Sequence, residues 1–164
     1  MRGDVLLVID VQPCFSRPAD LVDGIAALAR TMRSVATVEH HDETSTPFRR
    51  QLGWVPTTGE SSLIATDSTF IKHGYLPPSE LIEHLRDLAP SRVLVCGVQA
   101  ETCVLAAGFA LFDAGLHPTL LAWLTKGSSL DRSGALGVRL WQHHFGSVID
   151  DPEGVKPNGF DLQN

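Results

Sequence analysis

Two uninterrupted aliphatic runs constrain this chain more than any other feature: VLLVID at residues 5–10 and RVLVCG at residues 92–97. A strand with one wet face alternates apolar and polar side chains. A run with no polar break is the mark of a strand covered on both faces, as in the parallel sheets of α/β proteins. Helical spacing appears between such runs. Residues 19–33 repeat Leu21, Ile25, Leu28 and Met32, and residues 78–88 start at Pro78 and put Leu81, Ile82, Leu85 and Leu88 on one face. Shorter apolar stretches at 34–38, 68–72, 118–124 and 147–150 read as further strands. Helices are expected over 101–114, closed by Gly115, and over 129–145, although Gly134 and Gly137 oppose the second. Strands alternating with helices, joined by right-handed crossovers, predict a doubly wound α/β fold, a three-layer α-β-α sandwich with a mainly parallel sheet.

A chain of 164 residues suffices for one domain. The expected unit is 1–150, followed by a Pro- and Gly-rich tail over 151–164. The formal net charge of -6 and the lack of any basic run argue against nucleic-acid and anionic-membrane partners. The longest apolar run, Cys103 to Phe112, is about half of the roughly 20 residues that a membrane span requires. The N-terminal apolar run is bracketed by Asp4 and Asp10, unlike a signal peptide, so a cytoplasmic location is expected. Cys14, Cys96 and Cys103 are widely spaced and odd in number, which fits no disulfide framework, and no CxxC pair suggests zinc. Neither GxGxxG nor GxxxxGK[ST] occurs, so a dinucleotide or nucleotide cofactor has no support. Residues 39–68 are polar, with Pro47, Gly53, Pro56 and Gly59, and read as one long loop of the kind that often carries function.

In open α/β sheets, ligands sit beyond the carboxyl ends of the strands where strand order reverses. Asp10, Lys72 and Cys103 all fall at such ends and can share one rim. A thiol in the first turn of a helix, near a lysine, is suited to thiolate formation. A carboxylate in reach can take the thiol proton and return it to a leaving group. Backbone N–H groups of the turn GVQAET can hold an oxyanion. Together these are parts for acyl transfer through a thioester. Each residue also has a plainer reading: Asp10 as a cap or turn residue, Lys72 as a solvated lysine, Cys103 as a small buried apolar group.

The segments LLVIDVQPCF, FIKHGY and CGVQAETCVLAAGFALFDAGLHPTLL resemble the isochorismatase-like cysteine hydrolases, a family that includes nicotinamidases and N-carbamoylsarcosine amidohydrolase. The resemblance runs from about Asp4 to Asp150. It implies a six-stranded parallel sheet, Asp10, Lys72 and Cys103 as the catalytic residues, a cis peptide bond at Val98-Gln99 beside the oxyanion site, and a homo-oligomer. It implies a C–N hydrolase of small amide or ureido substrates that needs no cofactor. Isochorismatases proper lack the nucleophilic cysteine, so Cys103 points away from their reaction. The segments after Lys72 (HGYLPPSEL) and after the fifth strand (AWLTKGSS) depart from the family pattern, and both are expected near the pocket.

Nicotinamidases hold a metal through an Asp-x-His pair and a further His. Here His40 and Asp42 are two apart, but after His41 no histidine occurs until His73, so the expected metal is none. Gln12, Phe15, Trp54 and Tyr75 are candidate substrate contacts. Cys96 is expected to be structural. Cys14 is either a second pocket thiol or a packing residue, and His143 and His144 are expected to meet the carbonyls that end the last helix. The alternative to an enzyme is a silent family member that binds a small molecule or assembles with other proteins. A redox-sensing thiol, resolved by Cys14, is a third reading.

Overall fold

The computed structural model describes residues 3–15, 17–56 and 59–155. Among them the chain forms β1 (Val5–Ile9), α1 (Ala19–Ala29), β2 (Ser34–Glu39), β3 (Ser68–Lys72), α2 (Ser79–Leu88), β4 (Val93–Val98), α3 (Leu105–Asp113), β5 (Pro118–Lys126), α4 (Ala135–Phe145) and β6 (Val148–Ile149). Six strands pair in parallel in the order β3-β2-β1-β4-β5-β6. The order reverses between β1 and β4, the two aliphatic runs that head the sequence pattern. Both are buried at every position, as their composition requires.

Alternation along the strands sorts the core into two layers. Val5, Leu7 and Ile9 of β1 join Val93 and Val95 under α2, α3 and α4, where Leu81, Leu85, Leu111 and Trp141 complete the packing. Leu6 and Val8 face the other way with Leu94 and Cys96, against Leu21 and Ile25 of α1. Cys96 is thus a structural residue of the sheet, and burial holds its thiol far above the ordinary range.

Several boundaries differ from the sequence expectation. The first helix stops at Ala29, four residues early, although Met32 stays in the core. The helix expected from 129 starts at Ala135. Before it, Asp131 accepts from the backbone N–H groups of Ser133 and Leu136, and Gly134 turns left-handed at φ 84°, which builds a loop in place of the first helical turns. The fifth strand runs on to Lys126. The long loop over 39–68 contains a π-helical turn, Phe48–Leu52. Asp151 caps a short 3₁₀ turn, Pro152–Gly154, at the start of the expected tail. Residues 156–164 of that tail lie outside the described residues.

One glycine is demanded by the sheet. Gly97, in β4, has φ 112°, and a Cβ there would stand 2.3 Å from the carbonyl oxygen of Ile9. The close approach of β4 to the end of β1 fixes the distance between the residues that follow the two strands.

Candidate active site

Four buried ionisable side chains converge beyond the strand ends. Asp10 follows β1, Glu39 ends β2, Lys72 ends β3 and Cys103 lies past β4. Glu39 and Lys72 are direct partners in the β2–β3 register. From this edge strand the long lysine side chain crosses the end of β2 and reaches the end of β1. Its Nζ is 2.6 Å from Glu39 Oε2, 2.8 Å from Asp10 Oδ2 and 3.3 Å from Cys103 Sγ, and it also donates to the Gly74 carbonyl.

Each arm of the cluster is braced. Asp10 has a left-handed backbone, φ 50°, and its N–H donates to both the carbonyl and the hydroxyl of Thr37. The Thr37 hydroxyl donates in turn to Asp10 Oδ1 at 2.7 Å. Gln12 spends its carboxamide on the backbone of Glu39: Oε1 accepts from the Glu39 N–H at 2.6 Å, and Nε2 donates to the Glu39 carbonyl at 3.1 Å. Gln12 therefore acts on the cluster as a brace of Glu39.

Cys103 lies in a π-helical turn, Ala100–Val104, that leads into α3. The Val98-Gln99 bond before it is cis, and the Gln99 carbonyl accepts from the N–H groups of Thr102 and Val104. Two outer contacts hold the turn. Glu101 accepts from Ser128 N–H at 3.0 Å and from the Ser128 hydroxyl, which ties the turn to the loop after β5. Gly137 of α4 packs so closely that a Cβ there would stand 2.4 Å from Ala100 Cβ.

The charge balance opposes the expected thiolate. One ammonium faces two carboxylates. Burial, the charge of Asp10 and a hydrogen bond to Asp10 outweigh Lys72, and the Cys103 thiol is pushed up to about 12. This direction runs against the expectation that a helix terminus and a lysine would lower it. Burial works against the Lys72 charge, but Asp10, Cys103 and Glu39 more than offset it and the ammonium is held above its ordinary value. Burial raises the Glu39 carboxyl despite its bond to Lys72.

The remaining candidates form a wall of aromatic rings. Phe48, in the π-helical turn of the long loop, is the hub: its ring centroid is 5.4 Å from Tyr75, 6.0 Å from Trp54 and 6.0 Å from His41. Phe15 packs on Trp54. Phe48 and Tyr75, with Thr46, Pro47, Gln51 and Leu52, line a cavity of about 330 Å³. Cys103 is not among its lining residues, but Tyr75 relates to both places: burial, then the Cys103 and Glu39 charges, push its phenol up.

Sequence reasoning missed Glu39 and Phe48. Glu39 had a usable signal, since an acid at the carboxyl end of a strand is also how Asp10 was found. Phe48 had none, because its place depends on how the long loop folds.

A metal fits this site poorly. Asp10, Glu39 and Cys103 each offer a donor atom within 4.8 Å of the others. Lys72 already stands as the cation among those donors, and a divalent ion would share them with an ammonium. His40 and Asp42 are engaged by other groups: His40 Nε2 meets the Glu60 carbonyl at 3.0 Å, and Asp42 accepts from Thr44 and Ser45. Cys14 donates its N–H to Glu60 at 2.7 Å. His143 and His144 meet edge to face at the end of α4, and His144 also packs against Phe109. Among the described residues, no helix is long and apolar enough to cross a membrane.

Residues 4–152 match the sequence model of the isochorismatase domain. No curated protein matches the chain significantly. Similar solved structures include L. infantum PnC1 in complex with nicotinate, 21% identical with a TM-score of 0.76 over 94% of this chain and 96% of that one. Pyrazinamidase of Pyrococcus horikoshii, in complex with zinc, is 21% identical with a TM-score of 0.77 over 91% and 99%. Nicotinamidase PncA from Bacillus subtilis is 16% identical with a TM-score of 0.73 over 90% and 99%. At these identities the likeness is one of fold.

Proposed function

This chain belongs to the isochorismatase-like hydrolase family, and we propose that it is a cysteine amidohydrolase that cleaves the C–N bond of a small amide or ureido compound. The observation that carries the reading is the surroundings of one thiol: Cys103 lies 3.3 Å from the Lys72 ammonium and has a carboxylate oxygen of Asp10 within 4.8 Å, at the switch point of the sheet.

The thiol is neutral at rest, so its proton leaves during attack. Asp10 takes that proton as sulfur bonds to the substrate carbonyl carbon. Backbone N–H groups around Gln99 and Cys103 receive the oxyanion. Lys72 holds Asp10 in place and balances the negative charge as it moves from sulfur to oxygen. The C–N bond then breaks, and Asp10 returns the proton to the leaving nitrogen. Water hydrolyses the thioester and restores the thiol. No step requires a metal or another cofactor.

The aromatic wall suits a neutral, apolar acyl portion. PnC1 is known with nicotinate, a flat ring acid, and Phe48, Trp54 and Tyr75 offer comparable flat surfaces here. The family resemblance further supports a homo-oligomer. A panel of small amides and ureido compounds, assayed for ammonia release with the parent and Cys103→Ala, tests the reading. Release by the parent and none by the variant is expected. Equal activity, or no release from any compound together with tight binding of one of them, would leave a binding protein.

A further inference from the structure

We infer that Glu39 is a second catalytic carboxylate, and that its Oε1 takes the proton of the water that hydrolyses the Cys103 thioester. The inference rests on the amidohydrolase reading above. Two carboxylates, Asp10 and Glu39, each place an oxygen within 4.8 Å of the Cys103 sulfur. Asp10 Oδ1 accepts from the Thr37 hydroxyl, and Asp10 Oδ2 is paired with Lys72. Glu39 Oε2 is paired with Lys72 at 2.6 Å. Among the described residues, Asp10 Oδ2 and Glu39 Oε1 are the two carboxylate oxygens of the cluster that are buried with no hydrogen bond; Asp10 Oδ2 faces the Lys72 ammonium at 2.8 Å, whereas the ion pair of Glu39 runs through its other oxygen. A buried acceptor left unbonded costs stability and calls for an explanation.

That oxygen is also firmly placed. Glu39 is 2% exposed, its backbone is gripped on both sides by Gln12, and its carboxylate is anchored at the other oxygen. A donor atom of Glu39 lies within 4.8 Å of Cys103 Sγ. The nitrogen that leaves the acyl group must exit beside Asp10, which protonates it. The water that replaces it enters the same space and meets Oε1 as a free acceptor.

In this step the water oxygen bonds to the thioester carbon as one water proton passes to Glu39 Oε1. Collapse breaks the C–S bond and releases the carboxylic acid. The proton on Glu39 then passes to the departing thiolate, which restores the neutral thiol and ionised Glu39. The raised carboxyl of Glu39 fits a base that must accept a proton and give it back.

The test is a burst experiment with p-nitrophenyl acetate, whose leaving group needs no proton. The parent should release p-nitrophenolate steadily with little acetyl-enzyme. In Glu39→Gln, a burst of about one equivalent should be followed by turnover slowed about 100-fold or more, with acetyl on Cys103 in the intact-mass and peptide spectra. Turnover at the parental rate overturns the inference. So does a burst slowed as much as the turnover, which marks Glu39 as only an anchor of Lys72. Glu39→Asp covers the case in which the Gln variant does not fold. It keeps the pairing with Lys72 but withdraws the free oxygen, so deacylation should slow while the burst persists; undiminished deacylation overturns the inference. Failure of the parent itself to acylate on Cys103 is a different result, and removes the amidohydrolase reading on which the inference rests.

Discussion

The titration of Cys103 separates a neutral resting thiol from a preformed thiolate. Each carboxylate offers an atom within 4.8 Å of the sulfur. In an effective dielectric constant of about 20, one such charge disfavours the thiolate by about 3.5 kcal/mol, or about 2.5 pKa units. Lys72, at 3.3 Å, favours it by about 5 kcal/mol on the same scale. Two carboxylates at about 7 kcal/mol together outweigh one ammonium, and burial adds to them. Rates of iodoacetamide labelling between pH 6 and pH 10.5, resolved by peptide mass, read the balance. In the parent, labelling of Cys103 should be slow at neutral pH and climb about tenfold per pH unit without a plateau. Asp10→Asn removes one negative charge, so the apparent pKa should fall by about 1 to 2.5 units and labelling at pH 8 should quicken about 10- to 300-fold. Lys72→Met should act in the opposite sense. A parental plateau at or below pH 8, or slower labelling in a folded Asp10→Asn variant, refutes the neutral-thiol account.

Other perturbations test the supports of the cluster. Gly97→Ala forces a Cβ to 2.3 Å from Ile9 O at a φ of 112°, and should cost about 3 kcal/mol or more in thermal or denaturant unfolding; a loss under about 1 kcal/mol contradicts the reading of the β1–β4 approach. Thr37→Val leaves Asp10 Oδ1 without its donor and should lower stability by about 1–3 kcal/mol and slow acylation; unchanged acylation shows that Asp10 needs no such brace. Glu39 has a raised carboxyl in the fold. A raised acid favours the folded state below its unfolded value, and this is lost as pH rises through the folded value. The stability of the parent relative to Glu39→Gln should therefore improve as pH falls from 7 to 4, and a flat difference in urea midpoints speaks against it. Phe48→Ala should raise KM for amides with apolar acyl groups and spare the p-nitrophenyl acetate burst; a lost burst places Phe48 in the chemistry instead.

The sheet was legible because it rests on long aliphatic runs. VLLVI and VLVC need cover on both faces, and at this length, rich in valine, they suit a buried strand better than a helix or a wet strand. Asp10, Lys72 and Cys103 were legible for a related reason: strand ends are easy to place when the strands are. Glu39 closes a strand in the same way but was hidden at the head of a polar loop. Only the β2–β3 register, which puts it opposite Lys72, shows that it faces inward. The start of α4 was misplaced because Asp131 and Gly134 build a turn that apolar periodicity does not report. The direction of the thiol's shift was the least legible feature. A lysine beside a cysteine suggests a thiolate, and the sign reverses only when the second carboxylate and the burial of all four groups are counted.

That reversal bears on why the cluster exists at all. Ionisable groups in a sheet crevice are costly, and removing one partner of a buried pair costs more than the pair contributes to stability. Packing alone would be served better by apolar residues, as the neighbouring Ile9, Val98 and Val104 show. A silent binding protein would have little use for an ammonium placed within 3.3 Å of two carboxylates and a thiol. A hydrolase that must pass one proton from sulfur to nitrogen, and another from water back to sulfur, needs two bases and one fixed cation. The cluster supplies that number of each.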